Sequence, residues 1–153
     1  MPRRYRILAC TGVALVLSAC SDVAGPEWVR PYTLDQYHGA LAFPAPADSM
    51  GVVSGQFHLA PSGNCERVQI ARYFDGEGGG LVELESRLEC RWESRGPGSL
   101  DIIWDGGSTW GYDDLIEGTD SALVADGRFK LFIHTGVVCF SLPCPTAWIE
   151  EYR

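Results

Sequence analysis

Residues 30 to 153 contain short segments in which apolar and polar positions alternate, separated by glycine, proline, asparagine and aspartate. The clearest segment is 51–59, in which Val53, Gly55, Phe57 and Leu59 share one face and three polar residues share the other. A two-residue period predicts a strand with one buried face. No window keeps a 3.6-residue period over 12 residues, so the chain is predicted to be all-β.

Eight to ten short strands are predicted, with turn signals roughly every 8–12 residues, which is typical of a sandwich or a barrel. Consecutive hairpins favour an antiparallel meander that closes into a small barrel, with a sandwich as the alternative. The predicted strands are 30–37, 51–59, 65–74, 81–92, 100–104, 109–117, 121–124, 129–140 and 146–152. Turns are predicted at 61–64, 96–98, 105–107 and 126–127.

The two strands around the glycine-rich loop 75–80 can be placed in register. Cys65 and Cys90 are equidistant from the centre of this loop, and the same register pairs Arg72 with Glu83. A cross-strand disulfide is therefore predicted, with a stabilisation of about 3 kcal/mol. In this register Val68 and Ile70 face away from the cysteine side, so a β-bulge is expected to restore their burial.

The first twenty residues form a different pattern. Arginines at 3, 4 and 6 precede the apolar run 7–16, and Leu17-Ser18-Ala19-Cys20 follows. The segment 7–19 is too short to span a bilayer, which takes about 20 residues, and the order of basic, apolar and small residues is typical of a secretory leader. The ending resembles the lipobox of bacterial lipoproteins.

That resemblance implies that residues 1–19 are a signal peptide and that Cys20 becomes the lipidated N-terminus. Residues 20–30 are then a membrane tether, and residues 31–153 are the folded domain. Lipidation places the protein in the bacterial cell envelope. Ser21 after the cysteine favours the outer membrane, with the domain facing the periplasm.

Loss of residues 1–19, which hold three arginines and no acidic residue, changes the formal net charge from −8 to −11. The remaining 134 residues fit one domain. Their acidity argues against nucleic acid as a partner and against electrostatic docking to anionic lipids. Attachment to the membrane is expected through the acyl chains.

Four cysteines remain once Cys10 leaves with the leader and Cys20 carries lipid. An even number in an exported chain predicts two disulfides. The preferred pairing is Cys65 with Cys90 and Cys139 with Cys144. A metal site would need spacings such as C-x₂-C, which the chain lacks.

Candidate catalytic and metal-binding groups are scattered. Gly106-Gly107-Ser108-Thr109-Trp110-Gly111 departs from G-x-S-x-G by one residue and lacks a following helix. Glutamates 83, 85 and 89 alternate with apolar residues, as on an outward strand face, and His38, His58 and His134 have no histidine nearby in sequence. Neither an enzyme nor a cofactor or metal is predicted.

The aromatic residues suggest the function. Phe57, Trp92, Trp104 and Phe132 occupy alternating strand positions and would line a cavity for an apolar ligand if the barrel is hollow. The order of strands in a small lipoprotein, with Gly25-Pro26-Glu27-Trp28 before them, resembles the lipocalin-like (calycin) barrels.

Three functions remain open. The expected one is a non-enzymatic binding module for a small apolar ligand or an envelope protein. The alternative is a structural or assembly factor of the envelope with a filled barrel. A hydrolase comes third, because no nucleophile and base can be named.

Overall fold

The computed structural model describes residues 26–39, 41–76, 78–109, 112–113, 117–134 and 148–153. Cys20, the predicted signal peptide and the predicted Cys139–Cys144 pair lie outside these ranges. Nine strands are described: β1 (Pro31–His38), β2 (Gly51–Leu59), β3 (Asn64–Phe74), β4 (Leu81–Gly96), β5 (Ser99–Thr109), β6 (Tyr112–Asp113), β7 (Glu117–Ala125), β8 (Arg128–Ile133) and β9 (Trp148–Tyr152). The described residues include no helix that is long and apolar enough to cross a membrane.

Eight antiparallel strands close into a small barrel, which confirms the predicted fold class. The order around the ring is β4-β3-β2-β1-β9-β8-β7-β5, and β5 pairs with β4 to close it; the two-residue β6 pairs only with β5. Neighbouring strands in the ring run in opposite directions. We call the end where β1 begins and β9 ends the lower end, and the end where β1 ends and β9 begins the upper end.

The β3–β4 hairpin has the predicted register. Cys65 lies opposite Cys90 and Arg72 opposite Glu83, and a disulfide joins the two cysteines. The β-bulge expected in this hairpin is wrong, because the β3–β4 ladder runs from Asn64 to Phe74 without a register shift. The inward positions that follow Cys65 are instead taken by two buried polar residues, Arg67 and Gln69.

The turn predicted at Asp105–Gly107 is also wrong, since β5 continues through it to Thr109. The ladder between β4 and β5 shifts register at Glu89/Cys90, beside these glycines. At Gly107, where φ is +144°, a Cβ atom would lie 2.2 Å from the carbonyl oxygen of Arg87. The glycine therefore permits a close approach of two strands at a bulge.

The Asp126-Gly127 turn is confirmed between β7 and β8. Asp126 and Gly127 both have positive φ, at 52° and 71°, and Ala125 pairs with Arg128 on either side of them. Two consecutive positive φ values are what a two-residue type I′ hairpin turn requires. This turn lies at the lower end of the barrel.

Candidate functional site

The lower half of the barrel interior is filled by aromatic rings. The ring of Phe57 lies 4.6 Å from that of Phe129, 5.9 Å from that of Tyr152 and 6.4 Å from that of Trp104, measured between centroids. Tyr32 lies 5.4 Å from Phe129 on the other side. These rings contact one another directly, so the lower interior is occupied by side chains.

The four predicted ligand-binding residues are not brought together around one space. Phe57 and Trp104 are buried in this aromatic cluster. Trp92 is half-buried, lies edge-on to Trp28 at 5.0 Å and donates its indole N–H to the carbonyl oxygen of Ala60. Phe132 alternates with the buried residues of β8 and lies on the outer face of the barrel. There the ammonium of Lys130 lies 5.7 Å from its ring centroid.

A buried polar cluster crosses the interior above these rings. Arg67 of β3 donates from Nε to Glu150 Oε2 of β9 at 2.8 Å and from Nη2 to Glu150 Oε1. Gln69 donates from Nε2 to Glu150 Oε1 at 3.1 Å and accepts from Arg67 Nη2 at 3.0 Å. The hydroxyl of Tyr152 donates to the same carboxylate. Both carboxylate oxygens of Glu150 are thus hydrogen-bonded, as a buried carboxylate requires.

The sequence carried a signal for this cluster. Arg67 and Gln69 lie two and four residues after Cys65, so the disulfide register alone places them on the inward face. The apolar character of Val68 and Ile70 favoured the opposite arrangement. Glu150 had no such signal, because it is 83 residues away from Arg67.

The buried polar cluster around Glu150 shifts the pKa values of its members. Burial alone would lower the pKa of Arg67, but the adjacent Glu150 carboxylate raises it above its ordinary value. Burial raises the pKa of Tyr152, and the negative charge of Glu150 raises it further. The pKa values of Tyr37 and Tyr73 are raised mainly by burial as well. The tyrosines near the ion pair therefore stay neutral at physiological pH.

A second buried carboxylate fixes Trp104. Asp120 Oδ2 accepts from the indole N–H of Trp104 at 2.7 Å, and Asp120 Oδ1 accepts from the backbone N–H of His134 at 2.8 Å. These bonds hold β7 to the end of β8 and set the orientation of the indole. They assign Trp104 to the core.

Four large apolar side chains are exposed to solvent among the described residues, and three of them lie at the upper rim. Phe74 is 58 % exposed, Met50 42 % and Val82 37 %, and all three lie where β3 ends and β4 and β2 begin. Leu123, 47 % exposed, lies near the lower end on β7. Exposed acidic residues flank the apolar ones in sequence: Asp48, Asp75 and Glu83. We call Met50, Phe74 and Val82 the rim patch.

A groove of about 360 Å³ lies on the outer wall over the disulfide, and its lining includes His58 and the carboxylates of Glu66, Glu89 and Asp105. Arg87 pairs with Glu66, and Arg91 pairs with Asp105 at 3.0 Å. Within the described ranges no three His, Cys, Asp or Glu side chains are placed to hold a metal ion.

The residues considered for catalysis are dispersed. Glu83, Glu85 and Glu89 are exposed on the outer face of β4. His38, His58 and His134 are all exposed and lie at the ends of three different strands. The side chain of Ser108 lies outside the described part of the structure.

Comparison of the chain with protein-family models, with curated proteins and with solved structures finds no match in any of the three. The function of the chain is therefore inferred from its own residues.

Proposed function

We propose that the protein is a lipid-anchored envelope protein whose barrel binds a protein partner at the rim patch, without transforming it. The observation that carries this proposal is the position of the patch. Three large apolar side chains, Met50, Phe74 and Val82, are exposed at the upper end of the barrel, with Phe74 on the outer face of the β3–β4 hairpin and Val82 on its inner face. Apolar side chains grouped on a surface with a polar rim are typical of protein-binding sites.

The lipid anchor sets the orientation of the rim patch relative to the membrane. Lipid on Cys20 holds the chain to the membrane, and the tether enters β1 at the lower end. A tether of about ten residues reaches at most about 35 Å, so the lower end stays near the membrane. The upper rim, with Phe74 at its edge, faces away from the lipid and is open to a partner in the envelope.

The charge around the patch indicates the chemistry of the partner. Asp75 follows Phe74 directly and is exposed, and Glu83 follows Val82 and is exposed while it accepts a hydrogen bond from Arg72 at 2.6 Å. A partner that offers an apolar anchor surrounded by lysine or arginine would match this surface. The strongly acidic barrel makes such a partner associate faster at low salt.

The packed lower interior argues for this mode of binding over an internal apolar ligand. Phe57, Phe129 and Tyr152 are each at most 1 % exposed and contact one another. An apolar ligand would have to displace these rings. The same packing favours a second candidate, a structural or assembly factor of the envelope that has no ligand.

Site-specific photocrosslinking in the host tests the proposal. A benzophenone amino acid at Phe74 should give a discrete crosslinked protein band, whereas the same group at Leu123 should not. Leu123 is a matched control, because it is also apolar and exposed but lies near the lower end. Equal bands at both positions, or none at Phe74, would contradict the proposal.

The anchor is tested separately. Cys20→Ser should release the protein from the membrane fraction or leave an unprocessed precursor, because no residue remains to carry the acyl chains. Recovery of wild-type mature protein from its host as a soluble protein without detergent would contradict the anchor.

A further inference from the structure

Met50 is the only methionine that follows the predicted signal peptide, since the sequence contains two and the other is Met1. It directly precedes β2 and is 42 % exposed. The other sulfur atoms of the described residues belong to Cys65 and Cys90, which are buried and joined in the disulfide. Met50 therefore carries the one unoxidised sulfur, among the described residues, that an oxidant in solution can reach.

The backbone on both sides of Met50 is held against the barrel. On one side, Arg72 of β3 donates from Nη1 to the carbonyl oxygen of Pro46 at 2.7 Å. On the other side, a Cβ atom at Gly51 would lie 2.6 Å from the carbonyl oxygen of Ala42, so the glycine permits the loop to pack closely on the start of β2. These contacts fix the place at which the fold presents the Met50 thioether.

The strand register places Met50 at the same level of the barrel as Val82. Gly51 of β2 pairs with Arg72 of β3. The next residue of β3 is Tyr73, which pairs with Val82 of β4. One further step along the β2–β3 ladder brings Met50 beside Tyr73, so the backbones of Met50 and Val82 are about 10 Å apart. A protein interface covers about 800 Å² on each partner, which is enough to include both residues.

We propose that Met50 is a reversible oxidation site and that its sulfoxide weakens partner binding at the rim patch. This inference rests on the proposed function, because the rim patch is the surface that it regulates. The oxidant is a peroxide, which transfers one oxygen atom to the thioether. The S–O bond forms as the O–O bond breaks. The sulfur loses two electrons, and hydrogen peroxide gains them and leaves as water.

Oxidation changes the chemistry of the patch at its centre of contact. The thioether of Met50 is apolar and flexible, whereas the sulfoxide is polar and carries a strong hydrogen-bond acceptor. The apolar anchor of the proposed partner offers no donor to this oxygen, so binding buries it unsatisfied. The complex is expected to weaken about fivefold or more. Methionine sulfoxide reductases restore the thioether, so the effect is reversible.

Hydrogen peroxide and the Phe74 photocrosslinker together provide the test in envelope preparations from the host. Peptide mapping should show one added oxygen atom on the peptide that contains Met50. The crosslinked band should then fall about fivefold or more, and treatment with methionine sulfoxide reductases should restore it. The melting temperature of the purified protein should not change on oxidation, because the Met50 side chain is exposed.

Met50→Leu is the matched control, since leucine has a similar volume and cannot be oxidised in this way. It should keep its crosslinked band before and after peroxide. The proposal is overturned if Met50 stays reduced while free methionine in the same sample is oxidised, or if its oxidation lowers the melting temperature. It is also overturned if Met50→Leu loses the band to the same extent, which would place the oxidation in the partner. A band that persists after oxidation of Met50 contradicts the switch alone, whereas no band before peroxide contradicts the proposed function itself.

Discussion

Arg67 and Glu150 form a buried ion pair across the barrel, between strands β3 and β9 that are not neighbours in the sheet. The pair separates two kinds of interior. Below it lies the aromatic cluster around Phe57, and above it lie the hydroxyl of Ser86 and the indole N–H of Trp148, which have no hydrogen-bond partner among the described residues. The rings below the ion pair are buried against one another. The two polar atoms above it are buried without a hydrogen bond to any described residue.

Removal of one partner of the ion pair should destabilise the barrel strongly. Arg67→Met leaves the Glu150 carboxylate buried without its cation, which costs about 3–5 kcal/mol. The double variant Arg67→Met/Glu150→Met should cost clearly less than the sum of the two single variants, because no uncompensated charge remains. Urea unfolding of the four proteins measures this coupling. Arg87→Met, which removes an exposed pair with Glu66, serves as the control and should change little. Additive single effects would contradict the account.

The disulfide between Cys65 and Cys90 should contribute about 3 kcal/mol, because it closes a loop of 25 residues. The double variant Cys65→Ala/Cys90→Ala should lower the free energy of unfolding by this amount in a urea titration. Non-reducing peptide mapping should recover Cys65 with Cys90, and it also tests the sequence prediction of Cys139 with Cys144. A Cys90–Cys139 peptide would rule out the assigned register.

Alanine substitution should destabilise the barrel to very different extents at two of the residues predicted to bind a ligand. Phe57 is fully buried among other rings, so Phe57→Ala should cost about 3–5 kcal/mol. Phe132 lies on the outer face, so Phe132→Ala should cost less than about 1 kcal/mol. Thermal or urea unfolding distinguishes the two, and equal losses would show that the inward and outward faces of the barrel are misassigned.

The barrel should lose stability in alkali. Burial raises the pKa values of Tyr37, Tyr73 and Tyr152 above the ordinary 10.0. Above about pH 10 the unfolded chain therefore releases tyrosine protons that the folded chain retains, and each released proton favours unfolding. Their contribution is complete below about pH 9 and declines as pH rises further. The ultraviolet absorbance of tyrosinate, followed together with circular dichroism, should rise for these residues only as the fold is lost. Ionisation of all tyrosines near pH 10 in a protein that remains folded would be the contrary result.

The sequence predicted the elements whose signals are local. Alternation in 51–59 defined β2 with the bounds that the structure shows. The symmetry of Cys65 and Cys90 about their loop defined the hairpin register. The turn predicted at Asp105–Gly107 is wrong, because the glycines that suggest a turn here serve a bulge inside β5.

The hydrogen bonds between buried side chains are harder to predict from the sequence. Arg67 and Gln69 break the rule that inward positions are apolar, and their burial is explained only by Glu150 on a distant strand. The pairing of Trp104 with Asp120 depends on the same closure of the ring. Contacts of this kind need the three-dimensional register of β5, β7 and β9, which a single sequence does not specify.

The central claim is that a lipid-anchored barrel holds a protein partner at its rim patch. Its most direct test is a photocrosslinker at Met50, read out in the host with Phe74→Ser or Leu123→Ser in the same chain. The two substitutions remove apolar side chains of similar exposure, at 58 % and 47 %, from opposite ends of the barrel. Loss of an apolar anchor worth about 1.5–3 kcal/mol should reduce the crosslinked complex by tenfold or more for Phe74→Ser. Leu123→Ser should leave it unchanged. Equal yields from both variants, with both proteins folded and membrane-bound, would contradict the claim.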